Sequence, residues 1–171
     1  MKSIKKFKIF LANDIEKEAK WLTEMSSKGL HFFKYKSYFY YVEVDNEKSY
    51  IYQLDFQDAG EEYFELYKHS GWEHIETVIS QYHYFRADKN AIGDKRIYSD
   101  PSSIKNMYQR MLYFYITIFV CMLVAQIGLF LTWNHTLFSK IALAFVTGVI
   151  LLYIYLFIRL MRKMRNHEKR I

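Results

Sequence analysis

The chain has 171 residues, 24 Lys or Arg against 18 Asp or Glu, and one cysteine, which excludes an internal disulfide framework and fits a reducing compartment. The excess of +6 lies wholly in the last third: Met1 to Arg110 carries 17 cationic and 17 acidic residues, whereas Lys140, Arg159, Arg162, Lys163, Arg165, Lys169 and Arg170 face only Glu168. A neutral N-terminal part disfavours an RNA-binding sheet, so no nucleic-acid partner is expected.

Met1 to Phe10 is charged but lacks the apolar stretch of a cleavable signal peptide. Phe7 to Leu11 is predicted as a strand. Asn13 to Lys28 is predicted as a helix with Ile15, Ala19, Leu22 and Met25 on one face, an Asn13–Glu16 capping box and Gly29 as its stop. Strands follow at Leu30 to Lys36 and Tyr38 to Val44. After the polar turn Asp45 to Lys48 the pattern recurs: a strand at Tyr50 to Phe56, an Asp58–Glu61 cap, a helix presenting Tyr63, Phe64 and Tyr67, a stop at Gly71, and strands near Trp72 to Ile79 and Gln81 to Arg86. Gly29 with Gly71, Leu30 with Trp72, Tyr40 with Tyr82 and Val42 with Tyr84 all stand 42 residues apart. Two strand-helix-strand-strand repeats imply an α+β domain over residues 1–88, an antiparallel sheet with two helices on one face. The other face would present Phe39 and Tyr41, or their alternate neighbours, as a binding surface for a protein or small ligand; cross-strand pairing that only stabilises the sheet is the competing reading.

Residues 89–110 read as a linker, polar from Ala87 to Ser99, then a juxtamembrane helix opened by Asp100-Pro101. Apolar runs at 111–132 and 138–160 are each long enough to cross a hydrocarbon core of about 30 Å as a helix, with a short extracytoplasmic loop at 133–137 and a basic tail at 161–171. The cations lie before the first run and after the second, and the loop carries none. This bias predicts a two-helix hairpin in the cell membrane with both termini cytoplasmic, Trp133 as an interfacial anchor and Lys140 snorkelling to the outer interface. Ala125, Gln126, Gly128, Ala144 and Gly148 are candidates for packing within the hairpin or between copies. Arg159, Arg162, Lys163, Arg165, Lys169 and Arg170 set topology and are candidates for anionic lipid contact. Cys121 reads as a packing residue, and the Asn134-His135-Thr136 sequon as chance.

Trp21-Leu22 with Met25, Lys28 and Gly29, then Tyr52-Gln53-Leu54-Asp55-Phe56, Gly71-Trp72-Glu73 and Tyr84-Phe85-Arg86, resemble the signature of the bacterial domain of unknown function family 2812. Its members are small membrane-anchored proteins, mainly of Gram-positive bacteria, often encoded beside PadR-type regulators. The resemblance covers roughly the first 88 residues and the general layout. It implies membrane helices after the domain and a regulatory or envelope-stress role. These motifs of Gly, Trp and Tyr carry no activity with them.

Catalytic and metal chemistry need converging reactive groups. His31, His69, His74 and His83 are scattered over predicted strands and a helix end. Asp55, Asp58, Glu61 and Glu62 cluster where a helix N-terminus favours acidic residues. No catalytic, cofactor or metal residues are assigned. The expectation is a non-enzymatic integral membrane protein whose cytoplasmic domain binds a protein partner or another copy. The alternative is an accessory subunit of a transporter or stress-response complex, docking through the hairpin.

Overall fold

The computed structural model describes residues 3–90, 101–132 and 136–168. Trp133, Asn134 and His135 of the sequon, Asp100, most of the polar linker, and Lys169 and Arg170 lie outside the described residues. Two units are present, Met1–Ser103 and Ile104–Ile171.

The first unit runs β1 (Ser3–Phe7), α1 (Ile15–Ser26), β2 (Leu30–Lys36), β3 (Phe39–Val44), β4 (Tyr50–Phe56), α2 (Glu61–His69), β5 (Glu73–Val78) and β6 (Tyr82–Asp88). The α+β class, the antiparallel pairing and the strand-helix-strand-strand duplication are those read from the sequence. The strands form two three-stranded sheets, ordered β1-β3-β2 and β4-β6-β5, where one sheet was expected. Both halves therefore share one topology, and they share its irregularities. Each carries a bulge at the same place, between Phe32 and Lys34 and between His74 and Glu76. Each has a glycine in the left-handed region after its helix, Gly29 and Gly71. The correspondence slips by one residue in the last strand, because Lys36 pairs with Phe39 across a two-residue turn while Val78 pairs with Tyr82 across three. Structurally Tyr40 thus matches His83 and Val42 matches Phe85, not Tyr82 and Tyr84 as the 42-residue spacing implied.

Side-chain packing explains why one sheet becomes two. Phe32, Tyr40 and Val42 of the first sheet and Tyr52, Leu54 and Tyr84 of the second are all buried. Phe32 meets Tyr84 at 5.0 Å between ring centroids, and the Tyr52 hydroxyl donates to the Phe32 carbonyl, so the rings of one sheet pack onto the other. Helix α1 closes the open edge of β4. Its Thr23 Oγ1 accepts from the Tyr52 N–H at 2.9 Å, and its Ser26 Oγ accepts from the Tyr50 N–H at 2.8 Å. The helix thereby satisfies backbone donors that an exposed edge would offer to another chain.

The two helices do not share a face. Tyr63, Phe64 and Tyr67 of α2 pack on Trp72, Phe85 and Ala87, whereas α1 reaches Tyr82 and Tyr84, the alternate residues of β6. Boundaries differ most at β1 and at the helix N-termini. Strand β1 begins at Ser3 and ends where it was predicted to start, because Phe10 leaves the sheet to pack against Trp21 and Tyr40. The helix N-caps are Asp14 and Gly60, neither with a side-chain cap bond, so Asn13 and Asp58 do not form the expected boxes.

The second unit is a helical hairpin, α3 (Pro101–Leu131) and α4 (Leu137–Glu168). Helix α3 continues unbroken from its polar first turns into the apolar run, about 46 Å in all. Segments Ser103–Leu131 and Leu137–Arg165 are long and apolar enough to cross a membrane, and few residues of their most apolar stretches are buried.

Candidate functional site

Three places gather the functional residue types: the outer face of the first sheet, the polar interior of the domain, and the hairpin. The register of the first sheet sets Lys5 beside Tyr41 and Tyr41 beside Lys34; Phe7 lies beside Phe39 and Phe39 beside Lys36. Phe39 and Tyr41 thus sit together on one face, half-buried, flanked by exposed lysines. Phe7 packs on Phe39 at 5.4 Å, with the Lys5 ammonium 5.3 Å from the Phe39 centroid. At the tip of the β2–β3 turn Ser37 and Tyr38 both hold left-handed backbone, φ 49° and 68°, and Tyr38 is exposed. The same left-handed pair recurs at Ile79 and Ser80 in the β5–β6 turn, so it belongs to the hairpin geometry of the repeat.

Neutrality of the domain conceals a division that the structure brings out. Strands β1 to β3 carry Lys5, Lys6, Lys34 and Lys36 against Glu43. Strands β4 to β6 carry Asp55, Glu73, Glu76 and Asp88 against Arg86, and α2 adds Glu61, Glu62 and Glu65 against Lys68. One repeat is basic and the other acidic. Arg86 joins them, with Glu73 at 2.8 Å and Glu43 at 3.8 Å.

The most perturbed carboxyl in the interior is Glu18 on α1, a residue the sequence reading passed over. Its Oε1 accepts from the Tyr40 and Tyr84 hydroxyls, both at 2.6 Å, and its Oε2 from Tyr82 at 2.9 Å. Burial raises its pKa above the ordinary value of 4.5, outweighing the three phenols that favour the anion. Burial, and then the Glu18 charge, push the Tyr40 and Tyr84 phenols far above their usual range. These bonds join α1 to both sheets, a structural use of a buried charge.

The histidines divide similarly. His31 Nε2 donates to the Asp45 carbonyl at 2.7 Å, and its Nδ1 lies 2.8 Å from the Ser26 hydroxyl. His83 Nε2 donates to the Gln57 carbonyl at 2.8 Å, and Thr77 Oγ1 lies 2.9 Å from its Nδ1 and 2.8 Å from His74 Nε2. Strand pairing thus brings His74 and His83 together, which their nine-residue separation did not reveal. Burial, then the charge of His83, lowers the His74 pKa below 6.5. His69 stands apart at the end of α2, bonded to the Glu65 carbonyl. Asp55 accepts from the Tyr63 hydroxyl at 2.6 Å and from the Phe56 N–H. Among the described residues no three His, Cys, Asp or Glu side chains form a group suited to a metal ion.

In the hairpin, covered positions recur every three or four residues: Met111, Tyr115, Ile118 and Met122 on α3, and Val146, Val149, Tyr153, Leu156 and Leu160 on α4. Tyr115 meets Tyr153 at 6.0 Å. Ala125, Gly128, Ala144 and Gly148 instead face outward, and a Cβ added to either glycine would meet nothing within 4 Å. Large residues therefore make the seam, and the small ones lie outside it. Gln126 alone of that set bonds across, its Nε2 donating to Thr147 Oγ1 at 3.1 Å, while its buried Oε1 lacks a partner among the described residues. Of the cations named from the sequence, Arg162 and Arg165 line a cleft with Lys105 and Gln109 of α3, and Lys163 stacks on Tyr108. Cys121 is exposed.

No curated protein and no solved structure matches this chain. A family model described as a protein of unknown function (DUF2812) matches residues 14–120. That stretch holds α1 through β6 and reaches well into α3, beyond the 88 residues over which the resemblance was read. The chain therefore belongs to the DUF2812 family of proteins of unknown function.

Proposed function

We propose that this is a non-enzymatic protein of the cell membrane, anchored by the α3–α4 hairpin with both termini cytoplasmic. Its first sheet captures an acidic segment of a protein partner in a regulatory or envelope-stress role. The observation that carries this reading is the face on which Phe7, Phe39 and Tyr41 alternate with Lys5, Lys34 and Lys36. Aromatic rings supply contact area at low entropic cost and the lysines supply charge complementarity. The absence of an enzymatic role is supported by how the interior groups are used, since Glu18, Asp55, His31 and His83 are bonded within the fold. Affinity purification of the intact chain from its native membrane tests the reading. The wild type is expected to bring down a stoichiometric partner that a Phe39→Ser/Tyr41→Ser variant loses; a folded variant that keeps it would refute the assignment.

The outward Ala125, Gly128, Ala144 and Gly148 favour a second reading, an accessory subunit docking through the hairpin, since small residues let another helix approach closely. On that reading Gly128→Leu/Gly148→Leu abolishes co-purification and the Phe39/Tyr41 variant does not.

A further inference from the structure

The basic end of the hairpin holds a cleft of about 770 Å³, within the range of small-molecule sites. Lys105 and Gln109, one turn apart on α3, face Arg162 and Arg165, three apart on α4, across Phe157, Ile158 and Met161. Three cations and an amide thus converge over an apolar floor.

Charges serving topology alone need only flank the spans, and any distribution around the helices would do. Here cations from two helices share one concavity. Lys163, on the same turn as Arg162, is spent differently, its ammonium 5.0 Å from the Tyr108 ring. We propose that this cleft binds the headgroup of one anionic phospholipid. The guanidinium groups of Arg162 and Arg165 grip the phosphate through paired N–H donors, and Lys105 adds a point charge. Gln109 bonds the glycerol or ester oxygens, and the acyl chains lie along Phe157 and Ile158. Basic clefts between membrane helices are suited to such headgroups. This rests on the reading of α3 and α4 as membrane helices, but not on the partner assigned to the first sheet.

The test uses the full chain in nanodiscs of phosphatidylcholine with phosphatidylglycerol, and native mass spectrometry to count the lipids that remain bound. Wild type should keep one phosphatidylglycerol and prefer it to phosphatidylcholine. Arg162→Gln/Arg165→Gln should bind it about thirtyfold more weakly, the loss expected of two surface charges. Lys169→Gln/Arg170→Gln removes the same charge further along the basic tail and should leave retention unchanged. Equal losses in the two variants would mean a diffuse field and overturn the site. Equal retention of phosphatidylcholine would do the same, and so would full displacement by inorganic phosphate, which marks a soluble anion as the ligand. A chain that stays outside the nanodiscs would fail differently, by removing the membrane reading itself.

Discussion

Glu18 carries a testable pH signature. Its pKa is higher in the folded chain than the ordinary 4.5, so the fold favours the protonated form. Its stabilising contribution is complete below pH 4.5 and is lost as pH rises through the folded value. Glu18→Gln should therefore flatten the fall in stability above that point, read as the difference between the two denaturation curves across pH. An identical slope in both proteins would show that burial does not dominate at this carboxyl. Glu18→Ala should cost about 3 kcal/mol, since three buried phenols lose their acceptor. Thr23 offers a backbone counterpart. Its hydroxyl donates to the Ala19 carbonyl and accepts from the Tyr52 N–H. Thr23→Val keeps shape but strands a β4 donor, and should destabilise by about 1–3 kcal/mol where Thr23→Ser is mild; chemical denaturation separates them.

At the scale of elements, the duplicated glycines give a controlled comparison. Gly29 and Gly71 both have positive φ, 74° and 83°. A Cβ at Gly29 would also strike Asn46 Oδ1, whereas one at Gly71 meets open space. Gly71→Ala should cost about 1–2 kcal/mol for backbone alone, and Gly29→Ala more, measured by thermal unfolding. Equal losses would show that the Asn46 side chain yields freely. Helices, hairpins and the repeat were legible because glycine stops, alternation and apolar periodicity are local. The division into two sheets was not, because it depends on Phe32 meeting Tyr84 and on α1 hydroxyls closing the β4 edge, contacts between residues far apart in sequence. Which side of the hairpin its small residues take was not legible for a related reason. Ala125, Gly128, Ala144 and Gly148 permit close packing, yet Tyr115 and Tyr153 occupy the seam. The pairing of Phe39 with Tyr41 was legible from alternation; the lysine rows around them needed the register.

For the molecule as a whole, neutrality over the first 110 residues masks a basic repeat and an acidic one. On the proposed reading, a basic aromatic face on a domain tethered to a bilayer would meet its partner at raised local concentration, so modest affinity per contact would be enough. Anchoring itself predicts that the chain stays in the membrane fraction through alkaline carbonate extraction. The most direct measurement of the central claim is site-specific photo-crosslinking in native membranes, with benzoylphenylalanine placed at Tyr41 on the basic face or at Glu62 on the acidic repeat. A discrete crosslinked product from position 41, absent from position 62 and abolished by Lys34→Glu/Lys36→Glu, is the predicted result. No product at position 41, or the same products from both positions, would contradict the assignment of the first sheet as the binding face.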